Sequence, residues 1–134
     1  MQEAVIRALE IAAGIGADFA DSRSFDNAAR RTGTLVWSSA CVIRRAPDGI
    51  QHKGRMAITS TLLIVRGIHP LGPFVGPIRL NVPMRGFRYR ELTINLIGFI
   101  PYSAVEFSHQ SIEYQIFDMD RRRFAHSVGS VRSL

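Results

Sequence analysis

The sequence predicts an α+β fold, in which a mostly antiparallel sheet of about four strands carries an N-terminal helix and a second helix on one face. Three observations support this class: helix-forming residues at the start of the chain, two runs of β-favouring residues around a turn signal, and a long β-favouring run near the end. The chain has 134 residues, 46% of them hydrophobic, which suffices for one core. Residues 1–134 are therefore predicted to form one domain.

The N-terminal region predicts a helix followed by a polar connection. Residues 2–13 consist mainly of strong helix formers, and the glycines in 14–16 end this helix. Residues 17–33 are polar and rich in turn formers. They predict a connection with either a short strand near Phe19 or a helical turn at residues 27–31.

Residues 35–45 and 55–65 predict two strands, because both runs are rich in β-branched and aromatic side chains. Between them, Pro47-Asp48-Gly49 is a strong turn signal, since proline presets the first turn angle and glycine accepts a positive φ. The two strands are expected to pair as an antiparallel hairpin.

The middle of the chain is open to two interpretations. Residues 67–77 hold three glycines and three prolines and predict a loop. Beyond this loop, the alternation of Leu92, Ile94 and Leu96 is typical of a strand. A helix over residues 84–97 is favoured by length and by the helical spacing of apolar residues that begins at Leu80.

The C-terminal region predicts a second hairpin. Residues 105–118 read as one long strand, residues 118–120 as a turn, and residues 124–128 as a returning strand. Residues 129–134 are expected to form a mobile or partner-bound tail.

The charge of the chain is unevenly distributed. The net charge is +6, and 16 of the 17 basic residues are arginines. Residues 1–26 carry a net charge of −3, residues 27–90 carry +10, and residues 91–134 carry −1. Such a basic block is typical either of a nucleic-acid contact or of one half of a head-to-tail protein contact. We favour a protein-facing or solvated surface, because no nucleic-acid-binding motif accompanies the arginines.

Two groups of charged residues are the candidates for a subunit or partner interface. The basic group is Arg79, Arg85, Arg88 and Arg90, and the acidic group is Asp18, Asp21 and Asp26. Guanidinium groups pair with carboxylates through two parallel hydrogen bonds, so the two groups are expected to meet between neighbouring subunits.

No catalytic, cofactor or metal motif is recognised. The Gly14-Ile15-Gly16 run follows a predicted helix rather than a strand, and the four histidines have no metal-ligand spacing. The single cysteine, Cys41, lies in an apolar strand pattern and is expected to be a buried hydrophobe in a protein of a reducing compartment. We therefore predict that the protein is not an enzyme, has no cofactor and does not span a membrane.

Four segments resemble the C-terminal half of the Mu-type tail terminator proteins of tailed bacteriophages. They are Leu-Leu-Ile-Val-Arg at 62–66, Leu-Ile-Gly-Phe-Ile-Pro at 96–101, Val-Glu-Phe at 105–107 and Ile-Phe-Asp-Met-Asp at 116–120. The resemblance covers most of residues 35–120 in order and spacing. The chain departs from the family pattern at Pro73, Pro77 and Pro83, where that family runs into its helix.

The resemblance implies a hexameric ring at the head-proximal end of a phage tail. Such a ring stops tail-tube polymerisation and joins the tube to the neck, without catalysis. Its expected partners are further copies of the chain, the tail-tube protein and a neck or head-completion protein, with a sheath subunit left open; DNA only passes through the lumen. The expected location is the virion, and the host cytoplasm during assembly. The alternatives are another head-to-tail joining ring, a tail-tube subunit, or a small basic nucleic-acid-binding module.

Overall fold

The computed structural model describes residues 22–72, 74–96 and 100–133. Within these ranges the chain forms two helices and one seven-stranded antiparallel sheet, with the strand order β4-β3-β2-β1-β7-β6-β5. The elements are α1 Ser22–Arg30, β1 Leu35–Arg45, β2 Gln51–Thr59, β3 Leu62–Ile68, β4 Ile78–Pro83, β5 Arg90–Asn95, β6 Pro101–His109, β7 Ile112–Phe117 and α2 Arg121–Arg132. The α+β class is confirmed, although the sheet has seven strands rather than about four.

The first four strands form a meander that begins with the predicted hairpin. β1 pairs with β2 in antiparallel fashion, and Gly49 adopts a φ of 67° in the turn between them. The predicted strand 55–65 is in fact two strands, because the chain turns at residues 60–61. The buried hydroxyl of Thr59 accepts hydrogen bonds from the backbone N–H groups of Thr61 and Leu62, at 3.2 and 3.0 Å, and so fixes this turn.

The sheet is strongly curled. β4 and β5 lie at its two opposite edges, yet only residues 84–89 join them. Seven flat strands would hold the edges about 29 Å apart. A connection of this length spans at most about 25 Å even when fully extended. The sheet must therefore bend until its edges approach each other, with one concave and one convex face.

The concave face holds the main core. Met56, Ile58 and Val65 are fully buried there and belong to one apolar cluster with Phe124 and Val128 of α2. The 84–89 connection adds Phe87, whose ring centre lies 6.4 Å from that of Phe124. The second helix thus fills the concavity of the sheet, and the 84–89 connection covers it.

The convex face carries α1. Because successive strand residues point to opposite faces, Ala57 lies on the other side of the sheet from Met56. Ala57 and Ile64 pack with Phe25 and Ala29 of α1. The two described helices therefore lie on opposite faces of the sheet, and the expectation of helices on one face is wrong for them.

The helix predicted over residues 84–97 is also wrong. Residues 90–95 form β5, and residues 84–89 form the connection between the sheet edges. The alternative of a strand, which the alternation of Leu92 and Ile94 predicted, is correct. β5 pairs with β6 along its whole length. The helical spacing was coincidental, because Met84 and Phe87 reach the same core from the connection.

Two C-terminal predictions are corrected in the same way. The long strand 105–118 is part of a hairpin, β6 to β7, whose turn residues Gln110 and Ser111 have φ values of 51° and 68°. The predicted strand 124–128 lies inside α2, which begins after Asp120, the residue whose side chain accepts a hydrogen bond from the Arg123 N–H. Residues 129–132 belong to this helix, and their binding to a partner stays a prediction.

The predicted helix 2–13 and the possible strand near Phe19 lie outside the described residues. The alternative of a helical turn at residues 27–31 is largely correct, because α1 extends through most of this range.

We expect substitution of Gly67 by alanine to destabilise the fold. A Cβ at this position on β3 would lie 2.9 Å from His52 Cβ and from Ile43 Cγ2, so the buried core would have to shift. Such overpacking costs about 1–3 kcal/mol, which thermal unfolding followed by circular dichroism would detect.

The matched control is Gly129→Ala. This exposed glycine lies in α2, and an added Cβ meets nothing within 4 Å. Alanine is the better helix former, so stability should rise by up to about 1 kcal/mol. Equal melting temperatures for the two variants would contradict the packing assigned to Gly67.

Candidate functional site

The convex face carries two cross-strand rows of polar side chains. In the first, which we name the arginine row, Arg66 on β3 lies opposite Arg55 on β2 and Arg79 on β4. In the second, which we name the glutamate row, neighbouring positions also face each other across four strands. Its members, from β1 through β7 and β6 to β5, are Arg44, Gln115, Glu106 and Arg90.

The glutamate row is internally satisfied. Glu106 is only 7% exposed, and its two carboxylate oxygens accept hydrogen bonds from Arg90 Nε at 2.5 Å and from Gln115 Nε2 at 2.8 Å. Arg44 Nε donates in turn to Gln115 Oε1 at 2.7 Å. A buried carboxylate is tolerated only with such partners, so the loss of one of these hydrogen bonds would destabilise the fold. Arg90, a predicted interface residue, is therefore paired within the chain.

The arginine row places like charges on neighbouring strands, an arrangement that is unfavourable by itself. Arg66 Nη1 donates to the carbonyl oxygens of Val65 and Leu80, at 2.9 and 3.0 Å. Arg55 has its guanidinium carbon 5.9 Å from the centre of the Phe25 ring. Its buried Nε has no hydrogen-bond partner among the described residues. These contacts hold the two guanidinium groups in place.

A shallow hollow of about 220 Å³ lies beside the arginine row. It is lined by Ala40, Lys53, Gly54, Arg55 and Ile68. The small size of Ala40 and Gly54 leaves the space open, and the lining includes two cations and no acid. This arrangement suits an anionic group such as a carboxylate or a phosphate, because both accept hydrogen bonds from guanidinium and ammonium groups.

Two large apolar side chains are exposed on one loop of the described chain. In the connection between β3 and β4, Leu71 is 57% exposed and Phe74 is 87% exposed. The loop is nevertheless ordered by hydrogen bonds, since the N–H groups of Phe74 and Val75 both donate to the carbonyl oxygen of Leu71, at 2.9 and 2.8 Å. At its base, Nε2 of the fully buried His52 lies 2.9 Å from the carbonyl oxygen of Gly76. The exposed Phe74 ring is therefore carried by a loop whose backbone is held in place by hydrogen bonds.

The arginines predicted as one patch are separated in the structure. Arg79 belongs to the arginine row, and Arg90 to the glutamate row. Arg85 and Arg88 are exposed in the 84–89 connection, which is not helical, so the shared helix face expected for them does not exist.

The predicted acidic group is mostly outside the described residues. Asp18 and Asp21 lie there, whereas Asp26 is half-buried in α1. Asp26 Oδ1 has no hydrogen-bond partner within the described part of the chain. The meeting of this group with the arginines stays a prediction.

Sequence reasoning missed Lys53, Arg55 and Arg66 as members of one surface. A signal was present, because alternation along β2 places Lys53 and Arg55 on the same face as Ala57. Joining them to Arg66 also requires the turn at residues 60–61, which was not recognised.

The single cysteine is buried, and side chains that ligate metals do not cluster in the described ranges. Burial raises the pKa of the Cys41 thiol to about 12, so the sulfur stays protonated and is a poor nucleophile near neutral pH. No group of three or more His, Cys, Asp or Glu side chains in the described ranges could hold a metal ion. Neither described helix is long and apolar enough to cross a membrane.

We expect Glu106→Gln to destabilise the protein. The amide keeps the shape of the side chain but turns an N–H donor towards one of the two donors, Arg90 or Gln115. A buried donor facing a donor should cost about 1–3 kcal/mol, measured as a lower urea midpoint at unchanged slope. The control Glu113→Gln, at an exposed position of β7, should stay within about 0.5 kcal/mol of the parent chain. Equal midpoints would show that the glutamate row does not stabilise the fold.

No protein-family model matches this sequence, and no match is found among curated proteins or among solved structures.

Proposed function

We propose that the chain is a structural protein of a tailed bacteriophage. Six copies assemble head to tail into a ring that terminates the tail tube and joins it to the neck. The observation that carries the proposal is the arginine row together with its adjoining hollow. This surface concentrates cations on one face of the sheet, with no described carboxylate within ion-pair distance of Arg55 or Arg79.

A surface of this kind supports assembly. Like charges on neighbouring strands are unfavourable, and a partner that brings carboxylates to Arg55 and Arg79 offsets that cost. Closed rings with head-to-tail contacts need two different, complementary faces on each subunit. The chain has both charges in separate regions, +10 over residues 27–90 and −3 over residues 1–26.

The assignment to a phage tail rests on the sequence resemblance. Its first segment, residues 62–66, lies in β3 and ends in Arg66, a member of the arginine row. The segment 105–107 lies in β6, and the segment 116–120 leads into the cap of α2. The family helix has no counterpart here, because β5 occupies its place. The proposal needs no catalytic step and no cofactor.

The first experiment measures the mass of the purified chain. Native mass spectrometry and sedimentation should detect a six-subunit particle at 0.15 M salt that dissociates at 1 M salt, since exposed charge pairs are screened. Reversing Lys53 and Arg79 to glutamate should weaken assembly at least tenfold, with an unchanged circular dichroism spectrum and melting temperature. The control Arg122→Glu, at an exposed position of α2, should assemble like the parent chain.

A single outcome removes the proposal. If the parent chain stays monomeric at every concentration, and in virions that contain it maps away from the junction of tube and neck, it is not a tail-end ring. A map position along the tube, or at another joint between head and tail, would instead favour a tail-tube subunit or another joining ring.

Nucleic-acid binding is the second candidate, favoured by the same arginine row. Its guanidinium groups stand on adjacent strands of an open sheet face and suit successive phosphates. If the chain is such a module, the monomer should bind a short DNA duplex with micromolar affinity, and that affinity should fall steeply with salt. Anisotropy of a labelled duplex measures both. The ring proposal expects only weak binding of free DNA at 0.15 M salt.

A further inference from the structure

A second hollow lies where the 84–89 connection, the start of β5 and the end of α2 meet. Its volume is about 780 Å³, within the range of about 300–1,000 Å³ that small-molecule sites have. Its described lining shares no residue with either polar row of the convex face. We name it the tyrosine hollow, and its lining residues are Gly86, Phe87, Arg88, Tyr89, Glu91 and Arg132.

A half-buried aromatic ring lines the tyrosine hollow and is fixed by the core. The centre of the Tyr89 ring lies 5.8 Å from that of Phe87, and the two rings are stacked. The Phe124 ring contacts Tyr89 at 5.1 Å with the two ring planes nearly perpendicular. Both phenylalanines are buried, so the tyrosine ring is a defined surface against which another flat ring can pack.

Two arginines line the same hollow. Arg132 Nη2 donates to the carbonyl oxygen of Phe87 at 2.6 Å, which positions the guanidinium group. Arg88 is exposed and makes no hydrogen bond or ion pair with a described residue. Guanidinium groups bind phosphate and carboxylate oxygens through charge-assisted hydrogen bonds, so the hollow suits an oxyanion.

The Tyr89 hydroxyl adds a neutral donor. Burial, together with the charge of Glu91, raises the pKa of this phenol, so the hydroxyl stays protonated at neutral pH. It makes no hydrogen bond within the described part of the chain.

The negative charges near the hollow are offset. Glu91 Oε1 lies 2.9 Å from Arg121 Nε, so the acid of the lining is already paired. The C-terminal end of α2 carries a partial negative charge, and Arg132 in the last turn compensates for it. The exposed Arg88 therefore leaves the hollow positive.

An adjoining hollow of about 490 Å³ shares Arg88 and Tyr89 but suits an anion less well. Its lining includes the carboxylates of Glu106 and Glu113. Glu106 is paired with Arg90, which leaves Arg88 against Glu113. The positive charge is thus concentrated on the side of Arg132.

We propose that the tyrosine hollow binds an organic anion with a flat ring, of the nucleotide class. The base packs against the Tyr89 ring, and the phosphate group accepts hydrogen bonds from Arg88, Arg132 and the Tyr89 hydroxyl. Inorganic phosphate would use the donors alone, and a nucleoside the ring alone. The same group is present in a free nucleotide and in a single strand of nucleic acid, and the experiment separates these two sources.

The test is a titration of the full-length chain with 2′-deoxyadenosine 5′-monophosphate, followed by ¹H–¹⁵N NMR. The backbone signals of Gly86, Arg88 and Tyr89 should shift in a saturable manner. Deoxyadenosine and inorganic phosphate should each bind at least tenfold more weakly than the nucleotide, because each makes only part of the contacts.

Two variants assign the contacts. Arg88→Gln removes a charge that has no described partner, and it should weaken nucleotide binding at least fivefold with an unchanged circular dichroism spectrum. Tyr89→Leu removes the ring and should weaken binding at least tenfold. The matched control is Arg122→Gln, at an exposed position of α2 outside the hollow, which should bind like the parent chain. Arg88→Gln remains decisive if the loss of the Tyr89 ring impairs folding.

A short oligodeoxyadenosine strand identifies the source of the group. Equal affinities of the strand and the mononucleotide, both lowered by Arg88→Gln, assign the hollow to a free nucleotide. A much tighter strand with the same dependence on Arg88 assigns it to single-stranded nucleic acid.

Four results would overturn the inference. They are the lack of a saturable shift at millimolar nucleotide, shifts confined to the hollow of Lys53 and Arg55, equal affinities for inorganic phosphate and the nucleotide, and equal effects of Arg88→Gln and Arg122→Gln. The proposed ring of subunits does not depend on this site, so its mass measurement stands or fails separately.

Discussion

The short connection between the two sheet edges is the constraint on which the rest of the structure depends. Residues 84–89 can join β4 to β5 only if the seven strands curl, and the curl makes one face concave. That face receives α2 and the ring of Phe87, so the main apolar core gathers there. Most charged strand residues are consequently left to the convex face, where α1 packs against only part of the surface.

The two polar rows of the convex face satisfy their charged side chains in different ways. In the glutamate row a buried carboxylate binds its neighbours, and the charges balance within the chain. In the arginine row Arg66 is held by backbone carbonyl groups, and Arg55 lies over an aromatic ring. The first row therefore ties four strands together. In the second row, Arg55 and Arg79 have no described carboxylate within ion-pair distance.

The sequence was informative wherever structure depends on local chemistry. The α+β class, the turn at 47–49 and much of the loop at 67–77 follow from proline, glycine and β-branched residues, and the structure has all three. The turn at 60–61 was missed because Thr59 and Thr61 favour strands, and the turn depends on the buried Thr59 hydroxyl. The strand predicted at 124–128 failed because its residues pack as a helix in a concavity that exists only after the sheet curls.

The candidate surface was harder to predict because it depends on register. Sequence proximity grouped Arg79 with arginines of the connection and of β5, whereas the structure places it opposite Arg66. Alternation along a strand predicts which residues share a face, but only the turn lengths decide which of them lie opposite each other. A slip of one residue at the turn 60–61 would move Arg66 into the concave core and Val65 out of it. Folding alone thus keeps these arginines on the convex face. Burial of the core does not explain the charge at Arg55 and Arg79, and the anionic partner proposed above is the explanation that the proposal offers for it.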